Sequence, residues 1–313
     1  MALSVNELNT VSTRHFDKGV VTEQIYDNNV ILDKLRKSNQ IIVTGGTSIQ
    51  HPIRYQELSD FEMIDPDAAR VTSIKETRTS LELAWKFAKV DTGITWEEQT
   101  YNRSEKAIIS LIADRYKEAG QDLAKGISTQ FHQAFTSKGS YDMDGFFSCV
   151  AASSSTYAGI DQDDVSSWNA GVYDTSTSTL AMYGSGSIEA GMRACNFRTW
   201  PDYMVTTWAN AAIYASKLQP GERRNPENGR AGASDIYFRG TPILADPQAN
   251  TNVWMIIDSE YMFFYVQSDN NFDTGPWTED PDRFKAMRTL MTVVGNFVFT
   301  RRKSFGAYTA YAS

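Results

Sequence analysis

Three histidines, two cysteines and a few clusters of carboxylates, glycines and cations are the groups in this chain whose types could do chemistry. His15, His51 and His132 stand at no metal-ligand spacing, and His132 sits beside Phe131 in an apolar-periodic run, so surface or packing roles are expected of them. Cys149 and Cys195 lie far apart and outside any metal-type pattern; they read as two free core thiols, in keeping with folding in a reducing cytoplasm. Gly184-Ser185-Gly186-Ser187 opens a helix and could hold an anion on its amides. It lacks the Lys of a phosphate loop, which leaves Ser187 as a helix cap. Asp161-Gln162-Asp163-Asp164 lacks the Gly and final Glu of a calcium loop and reads as a turn leading into a helix. Asp258 and Glu260 fall on one face of an expected strand with no His nearby in sequence, a poor basis for acid-base work. Arg301-Arg302-Lys303 is the one concentrated basic run. It allows a solvated strand end, a contact with an acidic neighbouring subunit, or a contact with nucleic acid. No catalytic, cofactor-binding or metal-binding residue is expected.

The elements that would carry these groups are those of a packed protein. With 313 residues, 41% hydrophobic, the chain can bury a sizeable core in one or two domains with extensions. Its longest apolar run, Tyr261 to Val266, is far below the roughly 20 residues of a membrane span, and the start lacks the basic and apolar regions of a secretion signal. A soluble, unexported protein is expected. The net charge of −8 argues against free-standing, sequence-independent nucleic-acid binding, although an acidic surface can enclose nucleic acid without adhering to it.

Residues 1–40 are polar and mixed in charge and read as an arm with a short helix near 28–37, needing a neighbour to order it. Strand patterns follow at 40–44 and 48–55, with a returning strand within 71–85. They predict a long hairpin whose connection includes 61–69 and which, being a two-stranded ribbon, should lie on another subunit. Ile108, Leu111, Ile112, Tyr116, Ala119, Leu123, Ile127, Phe131 and Phe135 recur at steps of three and four. They predict a helix ending near 137, of roughly 50 Å, with a bend allowed at Gly120 or Gly126. The Ser/Thr/Gly/Asp-rich stretch 141–187 reads as exposed loops. Helices are expected at 188–196 and 209–218, strands at 202–207, 238–247 and 253–261, and long strands with a turn or bulge at Gly295 over 284–311. The fold class is α+β.

Four local patterns, in this order, carry a resemblance: Val43-Thr44-Gly45-Gly46-Thr47 entering the hairpin; 102–135 as a spine helix; Tyr157-Ala158-Gly159-Ile160-Asp161 with Trp168; and Arg239-Gly240-Thr241-Pro242-Ile243-Leu244-Ala245-Asp246-Pro247. Nearly the whole chain resembles the major capsid protein of tailed bacteriophages, the Hong Kong-phage type of fold. The resemblance implies an N-terminal arm at 1–40, an extended hairpin loop at 41–92, a peripheral domain at 93–140 and 262–313, and an axial domain at 141–261. It also implies pentamers and hexamers in an icosahedral shell around double-stranded DNA, a portal, a possible decoration protein, and a virion location after assembly in the bacterial host cytoplasm. Some members lock the shell with a Lys–Asn isopeptide bond. The tip 61–69 holds no Lys, the nearest being Lys75, so no autocatalytic cross-link is expected. Others carry a long scaffolding segment at the N-terminus; the short arm here points instead to a separate scaffolding protein or to a chain that begins after cleavage. An encapsulin-like nanocompartment shell is the rival within the fold, and a hydrolase the rival outside it.

The intersubunit contact candidates are Phe61, Met63, Ile64, Asp65 and Asp67 on the hairpin tip, with Arg283, Arg288 and Arg301-Arg302-Lys303 as their partners. The apolar members would supply most of the affinity at ~25 cal/mol per Å², and exposed charge pairs, at ~0–1 kcal/mol each, would set register.

Overall fold

A computed structural model describes residues 30–54, 63, 76–101, 105–134, 138–150, 156–161, 168, 170–184, 186–195, 200–218, 236–268 and 270–311. The α+β expectation is met by two six-stranded sheets, two short hairpins and a set of covering helices.

The first sheet is organised by β15, Met287–Phe299, whose thirteen residues are nearly all buried in its second half. Along one side of β15 run β12 (Met262–Gln267), β13 (Asp273–Thr274) and β14 (Thr278–Glu279). Along its other side lies β4 (Lys86–Ile94), in antiparallel register from Met287↔Ile94 to Gly295↔Lys86. The parallel strand β1 (Ile41–Thr44) closes the far edge against β12. No turn or bulge interrupts β15 at Gly295. A side chain there would put a Cβ 2.7 Å from the Tyr265 carbonyl oxygen and 3.1 Å from the Phe264 ring, so the glycine serves close strand approach instead.

Across the sheet packs α3, Glu105–His132, a helix of 28 residues and about 42 Å. It ends at His132, before the end near 137 that the spacing predicts, and it runs unbroken through Gly120 and Gly126. Ile108, Ile112, Tyr116, Ala119, Leu123, Ile127 and Phe131 are buried, which is the stripe expected of a 3.6-residue period. Phe131 meets Phe297 edge-on at 5.1 Å, and Phe299 meets Phe305 likewise, also at 5.1 Å; each such pair contributes about 0.5–1.5 kcal/mol beyond area burial.

The hairpin is formed by β2 (Ile49–Arg54) and β3 (Arg78–Leu83), paired from Ile49↔Leu83 to Arg54↔Arg78. Its stem does not wait for another subunit. Ile49, Ile53, Leu81 and Leu83 are buried in the chain's own core, together with Ile31, Leu32 and Leu35 of α1, Val30–Lys37. His51 Nδ1 lies 3.0 Å from the Tyr265 hydroxyl, tying the stem to β12. The part of the arm that is described is therefore also ordered within the subunit, because three apolar side chains on one helical face suffice to seat it.

The second sheet runs β7-β16-β11-β8-β10-β9, where β7 is Gly171–Thr179, β8 Tyr203–Thr206, β9 Ile236–Phe238, β10 Thr241–Ala245, β11 Val253–Ile257 and β16 Gly306–Tyr311. Trp254 and Ile256 of β11 face one apolar cluster with Tyr214 and Met192, while Met255 and Ile257 face the main core. A strand buried on both faces reads as a continuous apolar run. Helices α5 (Ile188–Ala194) and α6 (Trp208–Lys217) are capped by Ser187 and Thr207, whose hydroxyls accept from the amides of Ala190 and Asn210.

Two sequence expectations are corrected here. The Ser/Thr-rich stretch contains β7, paired in parallel with β16, and buried Met143, Phe146, Cys149, Tyr157 and Trp168. Threonine is a good strand former, so a polar composition fits an edge strand as well as a loop. Asp258 and Glu260 do not share a strand face, since Asp258 caps a 3-10 turn at Ser259–Tyr261 that separates β11 from β12. The last strand, β16, leaves the first sheet and enters the second, so the segment 262–313 serves both sheets.

Candidate assembly surface

Among the described residues, His132, Asp246, Arg302 and both cysteines are turned inward, and the first three serve as joints. Arg302 is fully buried in the turn between β15 and β16, and its Nε donates to the carbonyl of Cys149 at the end of α4, Phe146–Cys149. Burial lowers its affinity for a proton, yet a guanidinium remains charged. Burial likewise pushes the thiols of Cys149 and Cys195 up to about 12, so both stay protonated and unreactive at neutral pH.

His132, in the last turn of α3, places Nε2 3.2 Å from Asp246 Oδ2, and Ser128 Oγ donates to the same oxygen at 3.5 Å. Both acceptor and imidazole are buried. Burial drives the Asp246 carboxyl up, but the hydrogen bonds from His132, from the Gln248 amide and from Ser128 outweigh it and hold the group below the usual carboxylate range. Serine and histidine converge on one carboxylate oxygen instead of on each other. That geometry fastens the spine helix to the end of β10; it is not the nucleophile–base contact a hydrolase requires. Asn296 does the same for β15: its Oδ1 accepts from the Asp144 amide and its Nδ2 donates to Asp144 Oδ2 at 2.7 Å and to the Ala84 carbonyl at 3.1 Å. Lys138 completes this joint by pairing with Asp144. Among the described residues, no group of three or more His, Cys, Asp or Glu side chains could hold a metal ion.

The outward-facing features are different in kind. A groove of about 740 Å³ lies on the first sheet between β4, β14 and β15. Gly93 stands opposite Arg288 in the register, and its missing side chain leaves the Met287 carbonyl and Arg288 stem uncovered. Leu290, 40% exposed, supplies apolar floor, and Lys89, Arg283 and Arg288 set basic groups around it. Against these three cations stand Asp91, 3.0 Å from Lys89, and Asp280, 3.8 Å from Arg288. A local excess of positive charge therefore appears on a chain that is acidic overall.

The structure brings Arg283 and Arg288, two of the sequence candidates, into this groove. It separates them from the basic run. Arg301 stacks on the Tyr261 ring at 5.3 Å and is half-buried, as is Lys303, and Arg302 is spent inside the subunit. Arg302 is thereby withdrawn as a surface contact, because the turn it occupies crosses between the sheets. On the hairpin connection, Met63 is 86% exposed. Phe61, Ile64, Asp65 and Asp67 lie outside the described residues. Sequence reasoning missed Lys89, Asp91 and Asp280; the alternation of β4, with Phe87, Lys89, Asp91 and Gly93 on its exposed face, was the signal that could have found the first two.

No protein-family model and no curated protein matches the chain. Solved structures do. A chain of the cyanophage A-1(L) capsid asymmetric unit superposes with a TM-score of 0.62 at 15% identity, covering 87% of this chain and 90% of that one. A chain from the capsid of a native GTA particle gives 0.61 at 11% identity, over 89% and 90%. A chain of the satellite phage P4 procapsid gives 0.52 at 10% identity, over 95% and 92%. This chain therefore has the fold of phage capsid proteins, as the order of its motifs implied. No helix among the described residues is long and apolar enough to cross a membrane.

Proposed function

We propose that this chain is a shell-forming subunit, the major capsid protein of a tailed phage, assembling as pentamers and hexamers into an icosahedral head that encloses double-stranded DNA. The observation that carries the reading is the extent of the shared fold, about nine-tenths of this chain and of the two capsid chains nearest 0.6 in TM-score. The inward use of its reactive groups and its acidic balance support it, since a wall that bound phosphates tightly would impede the packing and release of DNA.

One contact between neighbouring subunits is then a docking of the hairpin tip of one copy into the groove on the first sheet of the next. Phe61, Met63 and Ile64 meet the floor around Leu290, and Asp65 and Asp67 meet Arg283 and Arg288. Apolar burial supplies the affinity, and the charges fix register and suppress wrong pairings. A separate scaffolding protein, a portal and a decoration protein are the further partners of this reading, and the host cytoplasm is its assembly site.

The test is electron microscopy of the expressed protein together with a charge exchange. Wild type should give closed shells. Asp65→Lys with Asp67→Lys, or Arg283→Glu with Arg288→Glu, should each leave folded subunits that do not close, and the four changes together should restore shells. Normal shells from either pair alone would refute the docking, and the absence of any assembly by wild type would refute the shell reading. Protein cargo in place of DNA inside shells purified from the native source would favour a nanocompartment.

A further inference from the structure

The joint between the segment that follows α3 and the strand β15 holds more than a structural tie requires. Lys138, Asp144 and Asn296 meet there. Asn296 and Asp144 are buried and the Lys138 side chain is mostly so, which keeps bulk water from the three.

Asn296 presents an amide whose carbonyl is already polarised. Its Oδ1 accepts from two main-chain amides, that of Asp144 at 2.8 Å and that of Phe297 at 3.0 Å. Two N–H donors at such distances are what stabilise the oxyanion formed when a nucleophile adds to a carbonyl. The Ala84 carbonyl, 3.1 Å from Nδ2, holds the other side of the amide. Nδ2 also donates to Asp144 Oδ2 at 2.7 Å, and Lys138 Nζ donates to the other oxygen of the same carboxylate. One carboxylate thus touches both an amine and the amide nitrogen that an amine could displace. The ion pair of Arg115 on α3 with Glu98 on α2, Trp96–Tyr101, differs in its chemistry: a guanidinium stays charged, whereas a lysine becomes a nucleophile on losing a proton.

We propose that Lys138 and Asn296 form an isopeptide bond within the subunit, with Asp144 as the proton carrier. Asp144 takes a proton from Nζ, and the freed amine crosses from Oδ1 of Asp144 to Cγ of Asn296 by rotation within its flexible stem. The Nζ–Cγ bond forms as an electron pair moves onto the Asn296 oxygen, where the two amides meet the charge. Asp144 passes its proton to Nδ2 and takes the second one from Nζ. The Cγ–Nδ2 bond then breaks, and ammonia departs with the proton left on Asp144. One amide replaces another, with no change of oxidation state. All three residues belong to one chain, so the bond forms on folding and needs neither a second copy nor the shell reading. It fastens the chain just beyond α3 to the central strand of the first sheet.

Mass spectrometry of dispersed, denatured subunits tests this. Lys138→Arg keeps a cation beside Asp144 but cannot form the bond, and it should retain the circular dichroism of wild type. After allowance for the exchange itself, wild type should weigh about 17 Da less than this variant, the mass of the ammonia lost. A digest of wild type should contain a branched peptide joining Lys138 to position 296. Asp144→Asn, which lacks the proton carrier, should show no branch. Equal corrected masses for wild type and Lys138→Arg would overturn the bond, and a branch in Asp144→Asn would overturn the role of Asp144. A loss of about 18 Da with the branch at position 144 would mean that the carboxylate is the acceptor, and would overturn the assignment of Asn296.

Discussion

Replacing Asp258 by Asn should stabilise the subunit near neutral pH and do nothing in acid. Asp258 is 5% exposed and caps the turn through which the chain passes from β11 in the second sheet to β12 in the first. Burial, then the nearby Asp202 carboxylate, pushes its carboxyl from an ordinary 3.8 up to about 6, against the pull of the Glu260 amide and Arg301. The folded state thus binds this proton more tightly than the unfolded state. The corresponding stability is present in full below about 3.8, declines as pH rises, and is lost above about 6. The ceiling on the cost of ionisation is about 3 kcal/mol, and relaxation of the turn and screening at its edge bring the realised value to about 1–2 kcal/mol. Asn keeps an oxygen to accept from the Glu260 amide, which Asp258 Oδ1 now does at 3.3 Å, and has no charge to desolvate. Urea unfolding of dispersed subunits at several pH values from 4 to 8 measures the difference between variant and wild type. Using the difference cancels the other carboxylates, such as Asp142 and Asp246, whose depressed values pull total stability the opposite way with pH. A variant that is equally stable with wild type at pH 8, or destabilised by the same amount at every pH, would refute the argument.

Two glycines should respond to alanine with opposite sign. Gly126→Ala fills open space on α3 and should stabilise by about 0.5–1 kcal/mol, whereas Gly295→Ala drives a Cβ into the Tyr265 carbonyl and should cost about 1–3 kcal/mol or more, both read by chemical denaturation. Arg302→Met keeps most of the side-chain volume but leaves the Cys149 carbonyl without its donor, and should cost about 1–3 kcal/mol by the same measurement, with little dependence on salt because the site is buried.

How much of this was legible depended on whether the deciding contacts were local. The stripe from Ile108 to Phe131 follows from a period of 3.6 and stands where the residues put it, whereas the strand expected at 253–261 begins as its apolar run predicts but ends at Ile257, before the 3-10 turn that Asp258 caps. The hairpin's two strands were legible from their alternation, but its register was not, because a connection running from 55 to 77 leaves the pairing of Arg54 with Arg78 unfixed by any turn type. The joints were not legible, because His132 and Asp246 are separated by 114 residues and Arg302 and Cys149 by 153. Nothing in three consecutive cations announces that the middle one faces inward, since that depends on which carbonyl the fold brings to it. The groove was half legible: Arg283 and Arg288 were visible as cations near the chain end, but the vacancy beside them comes from Gly93 on a strand nearly two hundred positions earlier.

The same distinction accounts for a fold that persists at identities of 10–15%. A helix stripe or a two-faced strand requires apolar volume at the right period and tolerates exchange among apolar residues at small cost, so α3 and β15 constrain residue class far more than residue identity. Joints such as Asn296 with Asp144, or His132 with Asp246, hold their neighbours by directional bonds whose loss leaves a buried polar group at about 1–3 kcal/mol. Such a joint can be replaced only as a unit, by packing or by another matched set. A lineage can therefore change nearly every residue while conserving the frame, provided that the joints change together. The exposed end of the first sheet is under no such constraint from folding: Phe87, Phe284 and Leu290 could all become polar without unseating the core. Their apolar character at 40–77% exposure is not needed to seat the core, and the contact between copies proposed above is a physical use for it.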